Sequence, residues 1–386
     1  MGTSSLHTNS DNREYEVESC NPESNDRSRP GEGMGLDFSA RLRFPGLDFN
    51  VAFTVNAAEC LALVGPSGAG KTTCLSIAAG LLRPDRAAVR LDGKVLIDTA
   101  AGIDLPPERR HLGLLSQDYL LFPHLSVLEN AAYGARRRLR NRRKAHLVAM
   151  DWLQRLGMRE RAGEPVAGLS GGERQRVALA RAVASGARAL LFDEPLAALD
   201  VTTRASVRST LREFLKEVRL PSIVVTHDVV DAFVLGDRIA VIESGKIVQI
   251  GLQDDLLRHP RSAFVADLAG LNFIQVEVAE GEGLKEARAD GVIFHVLSDD
   301  LSGPAYLSFP PSEVTLFLER PAGSAQNVLP GRIVEMTPLP HIRRTVVDVG
   351  ILITADITEG AMDAMGLHPG TTVWAAVKTT AIRVYR

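Results

Sequence analysis

Short apolar runs alternate with helix-periodic stretches between residues 35 and 270. The segments Cys60–Val64, Ala189–Phe192 and Ile223–Val225 contain only apolar residues, a pattern typical of parallel strands buried on both faces. After the first segment, apolar residues recur at helical spacing and predict a helix that reaches Leu82. These residues are Cys74, Leu75, Ala78, Leu81 and Leu82. The alternation predicts an α/β domain over residues 35–270.

A different pattern follows residue 270. Strand-like runs are separated by glycines at positions 331, 350, 366 and 370, as expected for strands joined by tight turns. The clearest runs are Arg332–Met336, Thr345–Val349 and Ile351–Ala355. Short strands at this spacing predict a small all-β barrel of the OB type. We assign this C-terminal β-barrel domain to residues 271–386.

The first 34 residues carry almost no apolar side chains and are rich in Ser, Asn, Glu, Asp, Arg, Gly and Pro. Such a segment cannot bury enough apolar surface to offset the entropy of ordering. We therefore expect a disordered tail over residues 1–34. Because patterned sequence begins just after Met34, both Met1 and Met34 are candidate physiological starts.

Composition narrows the class of protein. The 386 residues, 45% of them hydrophobic, are enough for more than one packed domain. The formal net charge of −3 gives no bulk electrostatic attraction to nucleic acid. No apolar run approaches the ~18–20 residues of a membrane-spanning helix. Neither a signal-peptide core nor paired cysteine spacing is present, which favours a reduced cytoplasmic protein.

The stretch "GPSGAGKT", Gly65–Thr72, fits the P-loop pattern G-x-x-x-x-G-K-[ST]. Its glycines let backbone N–H groups curl around phosphate oxygens. Lys71 is predicted to reach the β- and γ-phosphates, and the Thr72 hydroxyl to ligate Mg²⁺. A buried strand before the loop and a helix after it complete the expected setting. The predicted contacts of ATP are Gly65, Pro66, Ser67, Gly68, Ala69, Gly70, Lys71, Thr72 and Thr73.

Two carboxylates end the second apolar run. Asp193 suits Mg²⁺ coordination, as a Walker B aspartate does. Glu194 follows directly, so its side chain leaves the strand in a different direction. From there it can act as the general base for the attacking water.

A Ser-Gly-Gly stretch that opens a helix is a second anion-binding geometry, and Leu169–Arg176 reads "LSGGERQR". With this stretch the chain resembles the ATP-binding-cassette (ABC) ATPases, whose signature motif is LSGGQ-like. The resemblance implies an α/β P-loop NTPase cassette with a helical insert. It also implies roles for matching residues: Gln117 contacts Mg²⁺ and the attacking water, Asp200 belongs to the D-loop, and His227 contacts the γ-phosphate. Phe44, or Phe49 behind it, is the candidate for stacking on adenine.

One chain carries one P-loop and one signature, and in this family the two do not close on the same ATP. The resemblance therefore implies a homodimer of head-to-tail cassettes. Each ATP would lie between Lys71 of one chain and Ser170, Gly171 and Gly172 of the other. ATP binding would close the dimer and hydrolysis would open it.

Two further stretches resemble the ATPases of molybdate importers. They are "IDLPPERRHLGLLSQDYLLFPHLSVLEN" and the C-terminal "SAQNVLPGRIVEM" with "LHPGTTVWAAVKTTAI". The resemblance implies two membrane permease subunits, an extracytoplasmic solute-binding protein, and a place on the cytoplasmic face of the membrane. Molybdate is the expected solute, with sulfate or another small solute still open. A soluble ABC ATPase acting on nucleic acid or ribosomes is the other hypothesis, but this chain has neither a second cassette nor a long coiled-coil insert.

The C-terminal barrel and the basic run over residues 136–144 each allow two interpretations from the sequence. The C-terminal barrel either senses the oxyanion or braces the dimer, and its candidate donors are Ser324, Gln326, Asn327, Lys378 and Thr379. The basic run over residues 136–144 is interpreted as a solvated helix face. A nucleic-acid site is the alternative, but no stacking aromatics interleave the run.

Overall fold

The computed structural model describes residues 35–386 apart from Ala198, Asp200 and Asp299. The predicted disordered tail over residues 1–34 and the predicted D-loop residue Asp200 lie outside the described residues.

One mixed sheet of eleven strands forms the centre of the first domain, in the order β6-β5-β4-β1-β2-β11-β10-β3-β9-β8-β7. Strands β10, β3, β9, β8 and β7 pair with one another in parallel. Strand β11 pairs antiparallel with β10 and parallel with β2, and the pairings among β1, β2, β4, β5 and β6 are antiparallel. The strands are β1 (Gly35–Phe44), β2 (Leu47–Asn56), β3 (Cys60–Val64), β4 (Arg86–Leu91), β5 (Lys94–Asp98), β6 (Ile103–Asp104), β7 (Leu112–Leu115), β8 (Ala189–Asp193), β9 (Ser222–Val225), β10 (Arg238–Glu243) and β11 (Lys246–Gly251).

Helices cover both faces of this sheet. They are α1 (Lys71–Ala79), α2 (Val127–Leu139), α3 (Arg142–Arg155), α4 (Gly171–Ala184), α5 (Val201–Val218), α6 (Val229–Leu235), α7 (Gln253–Arg258) and α8 (Ala263–Ala269). Along β8, Leu190 and Phe192 pack with α2, α3, α4 and α5, whereas Leu191 packs on the other face with α1. Burial on both faces is why the sequence reads as a continuous apolar run here.

The helix predicted after the P-loop ends earlier than its apolar spacing indicates. Gly80 adopts a left-handed conformation with φ 82° and closes α1 at Ala79. The N–H groups of Leu81 and Leu82 both donate to the carbonyl of Ser76, and the Leu81 side chain is 63% exposed. The prediction that the helix reaches Leu82 is therefore wrong, because a C-terminal glycine stops it.

The basic run over residues 136–144 does not form a single helix face. Helix α2 ends at Leu139, Arg140 has φ 50°, and Asn141 caps α3 by accepting a hydrogen bond from the Lys144 N–H. Arg142 pairs with Glu129 of α2 at 3.2 Å. The run therefore spans the end of α2, a short turn and the start of α3, so its basic side chains belong to two different helices.

The chain changes from helices to strands between α8 and β12. Two five-stranded sheets follow, with the orders β14-β13-β12-β15-β21 and β16-β20-β17-β18-β19, and they enclose one hydrophobic core. The elements are β12 (Asn272–Val278), β13 (Leu284–Ala289), β14 (Val292–Leu297), β15 (Gly303–Phe309), β16 (Val314–Phe317), β17 (Asn327–Leu339), β18 (Ile342–Asp348), β19 (Leu352–Thr358), α9 (Glu359–Met365), β20 (Thr372–Val377) and β21 (Arg383–Tyr385). The predicted all-β C-terminal domain is confirmed.

Two buried asparagines connect the two sheets by hydrogen bonds to the backbone of an edge strand in the opposite sheet. The Asn327 amide on β17 accepts from the His295 N–H at 2.6 Å and donates to the His295 carbonyl at 3.0 Å. Asn272 on β12 makes the same pair of bonds to Thr354 on β19, at 2.6 and 2.9 Å. Each side chain thus satisfies backbone groups on an edge strand, β14 or β19, that a neighbouring strand would otherwise pair.

We predict that Asn327→Ala weakens the contact between the two sheets. The substitution leaves a backbone donor and acceptor on β14 without partners, which costs about 1–3 kcal/mol of local stability. Amide hydrogen exchange should accelerate across β14 and β17. Gln326→Ala is the matched control because Gln326 is exposed. Equal exchange rates in the two variants would contradict the role given to Asn327.

Candidate nucleotide-binding site

Four parallel strands bring the predicted site residues to one edge of the sheet. Leu115 on β7 pairs with Phe192 on β8, Asp193 pairs with Val225 on β9, and Val225 pairs with Leu63 on β3. The segments that follow these strand ends carry the P-loop, Gln117, Glu194 and His227. Carboxyl ends of parallel strands are where open α/β sheets bind ligands.

The P-loop glycines answer three different constraints. Gly65 has φ 149°, and a Cβ atom there would lie 2.0 Å from the carbonyl oxygen of Ile242 on β10. Gly70, with φ 105°, precedes α1, and its Cβ would meet the ring of Phe49 at 2.8 Å. Gly68, with φ 78°, has open space around it. Glycine is therefore required at the first two positions because side chains or backbone of the same chain lie too close for a Cβ atom. At Gly68 it is required by the positive φ of the turn.

Lys71 is the first residue of α1 and is buried. Its ammonium group donates to the carbonyls of Gly65 and Pro66 at 2.7 and 2.8 Å, so it lies within the loop that it follows. Burial lowers the pKa of Lys71, and the nearby Glu194 and Asp193 carboxylates oppose that shift. The loop thus holds a cation at a helix N-terminus, which is the charge arrangement that phosphate oxygens need.

Thr72 and Asp193 lie side by side at the same edge. The Thr72 hydroxyl donates to Oδ1 of Asp193 at 3.0 Å. Burial raises the pKa of Asp193, and the Thr72 hydrogen bond counteracts it. Within the described residues no cluster of three or more His, Cys, Asp or Glu side chains could hold a metal. One hydroxyl and one carboxylate fit Mg²⁺, which completes its ligands with substrate phosphates and water.

Glu194 and His227 form the second pair. The Nδ1 atom of His227 lies 3.1 Å from Oε2 of Glu194. Glu194 has φ 48°, a left-handed conformation that is uncommon for a non-glycine residue, and its N–H donates to the Val225 carbonyl at 3.0 Å. Non-glycine residues in this region cluster at functional sites. The turn directs the Glu194 carboxylate toward the end of β9, where the histidine follows.

The remaining candidate residues for ATP contact, Gln117, Phe44 and Phe49, differ in how exposed their side chains are to solvent. Gln117 is exposed in the turn after β7. Phe44 ends β1 and is 37% exposed, whereas Phe49 is fully buried beneath Gly70. A buried ring cannot stack on a base, so Phe44 is the better of the two predicted adenine contacts.

The Ser-Gly-Gly stretch opens α4 through a reciprocal capping arrangement. The Ser170 hydroxyl accepts from the Glu173 N–H at 3.3 Å, and the Glu173 carboxylate accepts from the Ser170 N–H at 2.9 Å. Arg161 pairs with the same carboxylate. The hydrogen bond from the Ser170 backbone, followed by that from Arg161, lowers the pKa of Glu173 to about 2. Their stabilisation is present above the ordinary pKa of 4.5 and is lost as the pH falls toward 2.

The Ser170–Glu173 spacing is the S-x-x-E signal of a capping box, which could have been identified from the sequence. Its Arg161 partner could not, because only the fold brings residue 161 next to α4. Gly171 and Gly172 begin the helix against the side chains of Leu199 and Val207. The Ser170 side chain itself is exposed, so it remains accessible to a ligand.

The P-loop and the signature stretch belong to opposite faces of the sheet. Helix α1 packs in the cluster that contains Leu191, and α4 packs in the cluster that contains Phe192. Adjacent residues of a strand point to opposite faces. The helices that begin at Lys71 and after Ser170 are therefore separated by the sheet, as expected if the two motifs serve different nucleotides.

One residue that supports the P-loop helix is absent from the predictions made from the sequence. Arg110 is almost fully buried and donates to the carbonyls of Ile77 and Ala78 at the end of α1, at 2.7 and 2.8 Å. Its guanidinium also pairs with Asp104 at 2.6 Å. A cation is favourable at a helix C-terminus, so Arg110 anchors the far end of the helix that starts at Lys71. Nothing in the local sequence distinguishes it from neighbouring arginines.

Comparison with known proteins agrees with this geometry. Residues 49–197 match the ABC transporter family, and residues 323–384 match the TOBE domain. The molybdenum import ATP-binding protein ModC of Mycobacterium tuberculosis is 38% identical over 345 residues, covering 87% of this chain and 94% of the relative. The molybdate/tungstate import ATP-binding protein WtpC of Pyrococcus horikoshii is 34% identical over 87% of this chain and 94% of its own length. A sulfate/thiosulfate import ATP-binding protein of Chromobacterium violaceum is 34% identical, covering 89% of this chain and 92% of its length.

Fold and site together define an ATPase of the P-loop class. Similarity over nearly the whole length of these relatives is more specific: the chain belongs to the ATP-binding proteins of ABC transporters, the ATPases that are coupled to transport. The resemblance noted from the signature and C-terminal stretches is confirmed. The roles of individual site residues stay predictions.

We predict that Gly65→Ala disturbs the P-loop even though alanine is small. The added Cβ would overlap the Ile242 carbonyl, so the loop or β10 must move, at a cost of about 1–3 kcal/mol. ATP affinity, measured by calorimetry, should fall together with the free energy of unfolding. Gly163→Ala is the control, since nothing lies within 4 Å of its Cβ position. Unchanged ATP affinity in Gly65→Ala would contradict the steric account.

Proposed function

We propose that this chain is the ATP-hydrolysing subunit of an ABC importer that takes up molybdate. The observation that carries the proposal is the match to molybdenum and molybdate/tungstate import proteins, which spans both the cassette and the C-terminal domain. A cassette match alone would indicate only an ABC ATPase. The sulfate/thiosulfate relative is similar over a comparable length, so sulfate is the competing solute.

In this proposal the P-loop holds the triphosphate of ATP. Its N–H groups and Lys71 contact the phosphate oxygens, and the buried position of Lys71 keeps water from competing for its charge. Thr72 and Asp193 would hold Mg²⁺ beside the phosphates. Held by these two residues, Mg²⁺ would supply positive charge that stabilises the phosphate oxygens during hydrolysis.

Glu194 is the proposed general base. Its carboxylate would accept a proton from the attacking water. His227, whose Nδ1 lies 3.1 Å from Oε2 of Glu194, would hold the carboxylate in place and contact the γ-phosphate. Gln117, in the turn after the neighbouring strand β7, would contact the metal and the same water. All three residues come from strand ends that the parallel register fixes together.

The proposed assembly is a homodimer of head-to-tail cassettes. Ser170–Gly172 would contact the ATP bound to the P-loop of the partner subunit, because α4 and α1 lie on opposite faces of the sheet within one chain. The N–H groups at the start of α4 provide the donors. Closure around two ATP molecules then supplies the mechanical step that transport uses.

Two membrane permease subunits and an extracytoplasmic solute-binding protein complete the proposed importer. None of the described helices is long and apolar enough to cross a membrane. Permease contact on the cytoplasmic side would involve the segment after Gln117 and the helical insert. There Leu120 is exposed and Leu147 is 65% exposed beside Met150, which gives the permease apolar side chains to cover.

For the C-terminal domain we favour a brace over an oxyanion sensor. Of the predicted donors, Ser324 and Lys378 do line one cavity of about 280 Å³. The Glu313 carboxylate lines the same cavity and would repel an oxyanion. Asn327 does not contribute, because both of its polar groups bond to His295. Asn327 therefore drops out of the candidate anion donors.

We predict that Glu194→Gln binds ATP but hydrolyses it at least about a hundredfold more slowly, since an amide cannot accept the water's proton. The trapped ATP should hold two cassettes together, so gel filtration with Mg-ATP should give a dimer. The double variant Glu194→Gln with Lys71→Ala is the control and should stay monomeric. A monomer for Glu194→Gln at saturating Mg-ATP would count against the sandwich.

The solute itself is tested in the assembled transporter. The chain, its permease and its solute-binding protein are reconstituted in vesicles, and ATP hydrolysis is measured with molybdate, sulfate or neither. Molybdate should stimulate hydrolysis through the loaded binding protein, and Lys71→Ala should abolish the response. Stimulation by sulfate and not by molybdate would reject the proposed solute while leaving the ATPase assignment intact.

A further inference from the structure

A buried ion cluster connects helix α5 to the segment that carries His227. Asp231, in the first turn of α6, is 1% exposed. Its Oδ2 atom accepts from Nη2 and Nε of Arg204 at 2.6 and 3.2 Å, and its Oδ1 atom accepts from Nε of Arg208 at 2.5 Å. One carboxylate is therefore held by two guanidinium groups that come from successive turns of α5.

The cluster extends to the residue next to His227. Asp228 caps α6, and its Oδ1 atom accepts from the Asp231 N–H at 3.0 Å. The Oδ2 atom of Asp228 lies 3.4 Å from Nη2 of Arg204. The Asp228 N–H in turn donates to the Thr226 hydroxyl at 3.0 Å. Polar bonds thus fix the chain on both sides of the histidine.

Packing alone does not require this arrangement. A buried carboxylate with two arginines costs desolvation that an apolar pair of similar volume would avoid. What the charges add is direction, since paired guanidinium bonds fix the carboxylate's position as apolar contacts do not. Helix α5 also begins just beyond the loop that follows Glu194, so the cluster connects the segments after both members of the Glu194–His227 pair.

A second polar contact between α5 and the α6 segment does not involve the residues next to His227. Arg212, on the next turn of α5, donates to the Leu235 carbonyl at 2.9 Å and to Asp237 at 3.0 Å. These partners lie at the far end of α6, away from His227. The two ends of the α5–α6 contact can therefore be altered separately.

We propose that Asp231, held by Arg204 and Arg208, is a positioning residue that keeps His227 within reach of Glu194. The inference rests on the proposed hydrolytic role of that pair. Without the Asp231 charge, the turn from 227 to 231 loses its anchor on α5, and His227 samples positions away from the carboxylate. The P-loop is not touched, so ATP binding is preserved.

The test compares Asp231→Asn, Asp231→Glu and Arg212→Gln in the full chain. We expect Asp231→Asn to lower kcat about tenfold or more while KM and the Kd for a non-hydrolysable ATP analogue stay within about twofold. Asp231→Glu restores a carboxylate and should recover most of the rate. Arg212→Gln should lower the melting temperature but keep kcat within about twofold. If Arg212→Gln lowers kcat as much as Asp231→Asn does, the cluster is only structural and the inference fails.

A second readout separates this inference from the proposed function. The ring resonances of His227, assigned by their loss in His227→Gln, should shift or broaden in Asp231→Asn and not in Arg212→Gln. Unmoved His227 resonances would overturn the inference whether or not the chain hydrolyses ATP. If Asp231→Asn fails to fold, Arg208→Lys takes its place, because lysine keeps the charge and loses the fixed Nε donor. It should lower kcat and shift His227 in the same way, and a wild-type rate and spectrum would overturn the inference.

Discussion

The parallel register of four strands buried on both faces is the constraint on which the site depends. Because β3, β7, β8 and β9 share one direction, the segments that follow them meet at one edge of the sheet. A shift of one residue in the register of β8 would place Glu194 where Asp193 lies. It would also turn the Phe192 side chain to the opposite face, out of its apolar cluster. The apolar clusters on the two faces therefore fix the positions of the polar groups proposed to contact the nucleotide.

The same two-faced burial divides the chain's nucleotide-binding elements. The P-loop helix lies on one face and the signature helix on the other, so neither can be moved toward the other without breaking the core. The proposed head-to-tail dimer would pair the P-loop of one chain with the signature of the other. The polar clusters near the site, the Asp231 cluster included, set how each of these parts is held.

Much of this could be predicted from the sequence because the signals were local. The apolar runs, the P-loop pattern and the acidic pair at the end of β8 each depend on residues adjacent in the chain. Two of the three misses were long-range. The role of Asn327 depends on its closeness to His295, and that of Arg110 on its closeness to the end of α1. The third miss is local: the apolar spacing continues through Leu81 and Leu82, but Gly80 ends helix α1 before them.

The central claim is that one chain's signature completes the other chain's P-loop. Ser170→Arg and Lys71→Ala, each inactive alone, should recover activity when mixed, because the mixed dimer contains one site with both parts intact. With random pairing and independent sites, recovery should reach roughly a quarter of the wild-type rate. Coupling between the sites could mask turnover, so occlusion of one labelled ATP per mixed dimer is measured alongside. Full hydrolysis by Ser170→Arg alone would contradict the account.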